Sequence, residues 1–174
     1  MKLLFTSFQT WRSHQKSNSS DDLLQVLIDQ NILTEHYFLR QIPVDFAIAP
    51  QQTIAKIEDL QPGCIICCGM AETRSRLSLE SNGKCGSEIL TTRFNLETLI
   101  ASTASTEISH DAGNFVCNHL YYSLLKHLEH SNCACLFIHV PVLTLNNRNV
   151  VLQDFLAVVD RILSHDKRYD QTRL

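Results

Sequence analysis

The 174-residue sequence has little glycine and little proline, five and four residues. That is too few for a collagen-like or low-complexity chain. Charge is sparse: Asp, Glu, Lys and Arg make up 19% of the residues and the formal net charge is −3. The basic residues are scattered, which argues against a nucleic-acid-binding surface, and no acidic tail is present. No run approaches the roughly 18 apolar residues of a membrane span. The N-terminal Met1-Lys2-Leu3-Leu4-Phe5 opens no cleavable leader. There is no glycine-rich dinucleotide fingerprint and no lysine-bearing phosphate loop; Gly83 and Gly86 make neither.

What is present is a core: 44% of the chain is hydrophobic. The length suits one domain over residues 1–174, and neither a repeat nor a linker interrupts it. The seven cysteines are an odd number, so full disulfide pairing would leave one over. Cys64, Cys67, Cys68, Cys133 and Cys135 lie in apolar, strand-like runs, where cysteine behaves as a small hydrophobe. The reading is a soluble protein of a reducing cytoplasm.

Apolar runs predict strands at Leu3–Thr6, Tyr37–Ile42, Cys64–Cys68, Arg76–Glu80, Thr106–Ser109 and Cys135–Val140. Helical spacing predicts helices over Asp21–Gln30, Ala47–Leu60, Asn95–Ser102, Asp111–His130 and Val151–Ser164, with Ser19, Ser20 or Asp21 capping the first. Ser81–Gly86 reads as a polar turn and the last ten residues as a loose tail. Strands alternating with helices give an α/β fold: a three-layer sandwich, a mostly parallel twisted sheet with helices on both faces.

Three side chains invite a chemical reading. Cys117 follows the turn signal Ala112-Gly113 and falls in the first turns of a helix, whose amides favour a thiolate. His139 stands near the end of an apolar strand, and Glu80 ends another. Taken singly, Cys117 reads as a structural cysteine, His139 as a core histidine or a site residue, and Glu80 as a solvated carboxylate. Together they could serve as nucleophile, base and the group that orients the base. Two metal spacings compete. Cys64-x-x-Cys67 points to opposite faces of a strand and cannot clamp one ion. His127-x-x-His130-x-x-Cys133-x-Cys135 holds acceptable zinc ligands, but its spacing matches no standard pattern. A solvated helix end before a buried strand is preferred over a structural zinc site.

Four stretches resemble the pyroglutamyl peptidase I (pyrrolidone-carboxylate peptidase) family. They are Leu3–Phe8, Gly69-Met70-Ala71 through Arg74 to Glu80, Ser109–Asn118 with Leu120-Tyr121-Tyr122, and Phe137-Ile138-His139-Val140-Pro141. Gln41-Ile42-Pro43-Val44 also fits. The resemblance implies a cysteine peptidase that removes an N-terminal pyroglutamyl residue, with Cys117 as nucleophile, His139 as base and acid, and Glu80 orienting the ring. It implies pocket residues at Phe8, Trp11, Asn18 (with a one-residue shift), Met70, Arg74, Phe115 and Val116, with no step given to Arg74. It implies no cofactor and no metal, a small peptide partner rather than nucleic acid or membrane, and assembly into a homo-oligomer. Arg12, Ser13, Glu72 and Thr73 stand where the family has glycines, and the stretch from Ser81 to Ser109 is short. Those departures motivate an alternative: a diverged member with little turnover that binds a small molecule or peptide.

Overall fold

A computed structural model describes residues 1–171. A six-stranded sheet has the order β2-β1-β3-β8-β4-β7. Its strands are β1 (Leu3–Phe8), β2 (Tyr37–Ile42), β3 (Cys64–Ala71), β4 (Ser78–Glu80), β7 (Glu107–Ser109) and β8 (Ala134–Pro141). β2, β1, β3 and β8 run parallel, β4 is antiparallel to β8, and β7 runs parallel to β4. The expected α/β sandwich is present, with one reversal at the edge where Glu80 lies.

The continuous apolar runs arise because the central strands are covered on both sides. One face packs on α1 (Ser19–Asp29), α3 (Leu96–Ile100) and α5 (Arg148–Gln171), through Leu23, Leu27, Leu99, Phe155 and Val158. The other packs on α2 (Ile48–Leu60) and α4 (Val116–His127), through Ala49, Ile57, Leu120 and Leu124. Alternation along β3 puts Cys64, Ile66 and Cys68 on the first face and Ile65 and Cys67 on the second. The two cysteines of Cys64-x-x-Cys67 therefore point apart.

Several local expectations change. Asn18, not Ser19, Ser20 or Asp21, caps α1, its Oδ1 accepting from Ser20 N. Asp45 serves α2, accepting from Ala47 N and Ile48 N, both at 2.8 Å. The long helix begins at Val116 rather than Asp111, and α5 spans Arg148–Gln171. Of the tail expected to be loose, residues 172–174 lie outside the described residues.

The largest departure is Ser81–Gly86. Instead of a polar turn, β5 (Asn82–Cys85) and β6 (Glu88–Thr91) form a hairpin that packs on α4. Gly86 at its tip has φ +58°, open to glycine without strain. Asn118 on α4 completes the β5 backbone, accepting from Lys84 N and donating to Lys84 O, both at 2.8 Å. Gly83 permits the close approach, since a Cβ there would stand 2.6 Å from Tyr122 N. A polar sequence becomes a strand because side chains of a helix some 34 residues away supply its missing partners.

Candidate active site

The register of β4 against β8 sets half of the site. Ser78 pairs with His139 and Glu80 with Phe137, so Glu80 and His139 are diagonal neighbours on one face. Phe137 belongs to the core layer beneath α4, so both side chains turn toward that helix. His139 Nδ1 lies 2.6 Å from Glu80 Oε1.

Glu80 is fully buried, overturning its reading as a solvated carboxylate. Arg74 Nη1 donates to Glu80 Oε1 at 2.6 Å, and Arg74 Nη2 donates to Ser109 Oγ and to Asp111 O at 3.1 and 2.9 Å. Burial, the largest influence, pushes the carboxyl upward. The hydrogen bond and charge of His139, then Ser109 and Arg74, outweigh it and hold Glu80 below the usual carboxylate range. An ionised Glu80 accepts the Nδ1 hydrogen and leaves Nε2 as the free ring nitrogen. Tyr121 of α4 donates to Glu80 O at 2.9 Å, tying the helix to this strand.

Cys117 is the second residue of α4, after the N-cap Phe115, which makes no side-chain cap hydrogen bond. β3 makes room for the thiol. Gly69 pairs with His139, and a Cβ on Gly69 would lie 2.7 Å from Cys117 Sγ and 2.8 Å from Phe137 Cζ. The expected thiolate is not the resting form. Burial, followed by the neighbouring Cys67 and Glu80, pushes the Cys117 thiol up to about 12. Helix amides are too weak a counterweight to that loss of water.

Cys117 and His139 line one cavity of about 330 Å³, together with Trp11, Met70, Arg74 and Phe115. Trp11 and Phe115 rings lie 6.0 Å apart. Three expected pocket residues are elsewhere. Phe8 and Val116 are buried in the core beneath α2 and α4, and Asn18 is spent on the α1 cap and on Gln9 O, to which its Nδ2 donates at 3.0 Å. At the mouth, Arg12 Nη1 pairs with Glu72 Oε2 at 3.2 Å, and Glu72 Oε1 meets His14 Nε2 and Gln15 Nε2 at 2.9 and 3.1 Å. Side chains thus bridge two loops where backbone approach was expected.

The sequence reading gave no role to Gly69, to Tyr121 or to the contacts of Glu72. Gly69 had a signal, a glycine within an otherwise apolar strand, which marks close approach. The Glu72 cluster had none, since it joins residues about 60 apart. In the competing metal spacing, Cys133 and Cys135 are core residues, and His127 sits 4.0 Å from Glu58. Among the described residues no group of three or more His, Cys, Asp or Glu is placed to hold a metal ion.

Comparison with known proteins follows the same lines. Residues 90–154 match the family model described as pyroglutamyl peptidase, a span that holds Cys117 and His139. The pyrrolidone-carboxylate peptidase of Thermoanaerobacter sp. (strain X514) is 27% identical over 190 aligned positions, covering 93% of each chain. The chain is similar to members of the pyroglutamyl peptidase family. A further pyrrolidone-carboxylate peptidase, of Lactobacillus acidophilus, is 26% identical over 178 positions, covering 86% of this chain and 88% of that one. The first alignment is longer than the 174-residue chain, so that relative of the family carries residues this chain lacks. In fold, the chain is similar to pyroglutamyl peptidase I from Bacillus amyloliquefaciens, with TM-score 0.78, 19% identity, and 92% and 93% of the two chains covered. It is also similar to a mutant pyrrolidone carboxyl peptidase from Pyrococcus furiosus, with TM-score 0.80, 19% identity, and 95% and 99% covered. Among the described residues no helix is long and apolar enough to cross a membrane.

Proposed function

We propose that this chain is a cysteine peptidase that removes an N-terminal pyroglutamyl residue from small peptides. The observation that carries the reading is the buried Glu80–His139 pair, of which His139 lines the same cavity as Cys117 at the start of α4. Cys117 is the nucleophile. Its thiol is neutral at rest, so His139 Nε2 takes the proton as sulfur attacks the pyroglutamyl carbonyl. The first-turn amides of α4 stabilise the oxyanion, because the Phe115 cap supplies them no side-chain acceptor. His139 then gives its proton to the leaving amine. It next takes one from water, whose oxygen attacks the thioester; the proton returns to sulfur as pyroglutamate leaves.

Arg74 acts one step back, as a positioning residue. A buried carboxylate needs a compensating charge, and Arg74 supplies it while fastening Ser109 and the Asp111 carbonyl. Trp11, Met70 and Phe115 form the apolar walls for the lactam. The chain works as a single domain over residues 1–174, in a reducing cytoplasm that keeps its cysteines reduced. Copies of it assemble into a homo-oligomer.

A second reading, a binder with little turnover, is favoured by the Arg12–Glu72 bridge at the mouth and by the raised Cys117 thiol. Hydrolysis of a fluorogenic pyroglutamyl amide, with and without thiol reductant, separates the two. Turnover that requires reductant and disappears in Cys117→Ser supports the peptidase. Tight binding of the amide without turnover selects the binder.

A further inference from the structure

Residues 9–18, between β1 and α1, form neither helix nor strand, yet they carry Trp11, a wall of the Cys117 cavity. A ligand wall on a loop is only as precise as whatever fastens the loop. We infer that Gln15 and Glu72 are positioning residues, which together hold Trp11 in place as a wall for the lactam. The inference rests on the peptidase reading above, whose reaction gives neither residue a part.

The fastening has two steps. Trp11 N and Arg12 N both donate to Gln15 Oε1, at 3.0 and 3.2 Å. Gln15 Nε2 donates to Glu72 Oε1 at 3.1 Å. Glu72 directly follows β3, the strand that carries Gly69. The main chain at Trp11 is thereby tied to the end of the sheet. Gln15 N donates to Arg12 O at 3.1 Å and closes the turn between them.

Polarity makes the relay specific. A backbone N–H only donates and an ionised carboxylate only accepts, so the link between them must accept at one end and donate at the other. The Gln15 amide does both. Gln15, the largest influence, and then His14 hold Glu72 below the usual carboxylate range, which keeps it an acceptor. The other carboxylate oxygen reaches the Trp11 ring. Arg12 Nη1 donates to Glu72 Oε2 at 3.2 Å, and its guanidinium stands 5.8 Å from the ring centre. Gln15 is not among the cavity's walls, so its effect on substrate passes through the residues it holds.

Trp11 is the only tryptophan of the chain, and its emission therefore reports its setting without turnover. Gln15→Ala and Glu72→Ala are each expected to shift that emission to longer wavelength. Each should raise KM for a pyroglutamyl amide by roughly tenfold, the scale of a lost hydrogen bond, with kcat held within about twofold. The double variant should do no more than either single change, because both break one relay. Glu72→Gln is the conservative rescue. It keeps an acceptor for Gln15 Nε2 and gives up only the exposed pair with Arg12, so most of the wild-type emission and KM should return. Thermal melting confirms that the variants fold. Unchanged emission and KM in Gln15→Ala overturn the inference, as do single effects that multiply in the double variant. A loss confined to kcat overturns it too. So does a Glu72→Gln as impaired as Glu72→Ala, which would assign the effect to charge at the mouth. Absence of turnover in the wild-type chain removes the peptidase reading alone. The emission shift, with its quenching by pyroglutamyl-glycine amide in place of KM, then decides the relay.

Discussion

The two halves of the candidate site are built differently. Glu80 and His139 belong to adjacent strands, are buried, and meet at 2.6 Å. Cys117, Trp11 and Phe115 come from a helix start and from loops, and the mouth above them is bridged by the exposed Arg12 and by Glu72. A strand ladder fixes side chains to within a diagonal spacing, so the strand-borne pair is preorganised. The helix-borne thiol is placed but not ionised. Its activation must therefore come with the substrate, through proton transfer to His139, rather than from the resting electrostatics.

The sharpest break of the preorganised half is Glu80→Gln. The amide can no longer fix the His139 tautomer or balance the imidazolium, and kcat should fall by about 10²–10⁴. The wild-type carboxyl also links stability to pH. Its folded value lies below the ordinary carboxylate range, so its contribution is complete above that range and is lost as pH falls through the lowered value. Denaturation midpoints against pH should therefore show a weaker acid dependence in the variant than in the wild type.

Arg74→Met tests whether that half depends on its buried charge compensation. Without the guanidinium the Glu80 carboxyl rises, and the acid limb of the pH–activity profile should move to higher pH, with kcat down by roughly tenfold to a hundredfold. Arg74→Lys should recover part of the shift, because it restores charge but not the forked contact to Ser109 and Asp111. An unchanged profile in Arg74→Met would show that His139 and Ser109 hold Glu80 ionised without it.

The joint between the halves is Gly69. Gly69→Ala puts a methyl where Cys117 Sγ and the Phe137 ring now stand. Overpacking of this kind costs about 1–3 kcal/mol, so the melting temperature should drop and activity should fall with it. The smallest effect concerns the thiols at rest. Iodoacetamide at neutral pH should label the exposed Cys85 before Cys117, whose proton is held by burial. Labelling of Cys117 first would mean that the helix amides and His139 ionise it without substrate, and the contrast between the halves would disappear.

Much of this was legible from residue order. Tyr37–Ile42 reads as a strand because its apolar run ends at Pro43, and β2 has those bounds. Asn95 reads as the start of a short helix, and its Oδ1 caps α3 by accepting from Thr98 N at 3.0 Å. Cys117, His139 and Glu80 could be named because each lies near the end of an element and within a family motif. Phe8 and Asn18 could not be placed in this way. A phenylalanine at a strand end serves a core and a ligand wall equally well in sequence, and a capping asparagine has the same composition as a binding one. The hairpin at Asn82–Thr91 was hidden because its polar backbone is completed by Asn118 rather than by an apolar period of its own.

Periodicity and chain order were enough for the helices and the sheet strands, because such patterns reflect interactions within one element and its own solvent boundary; the three chemical residues were named through the family resemblance. The state of those residues was a tertiary matter. Glu80 is buried and charged because His139, Arg74 and Ser109 converge on it, and His139 is 59 residues away along the chain. The Cys117 thiol holds its proton because burial, with Cys67 and Glu80 beside it, disfavours the charged form. Charge and burial are sums over neighbours in space. The sequence names the neighbours, but only the folded chain decides which of them meet.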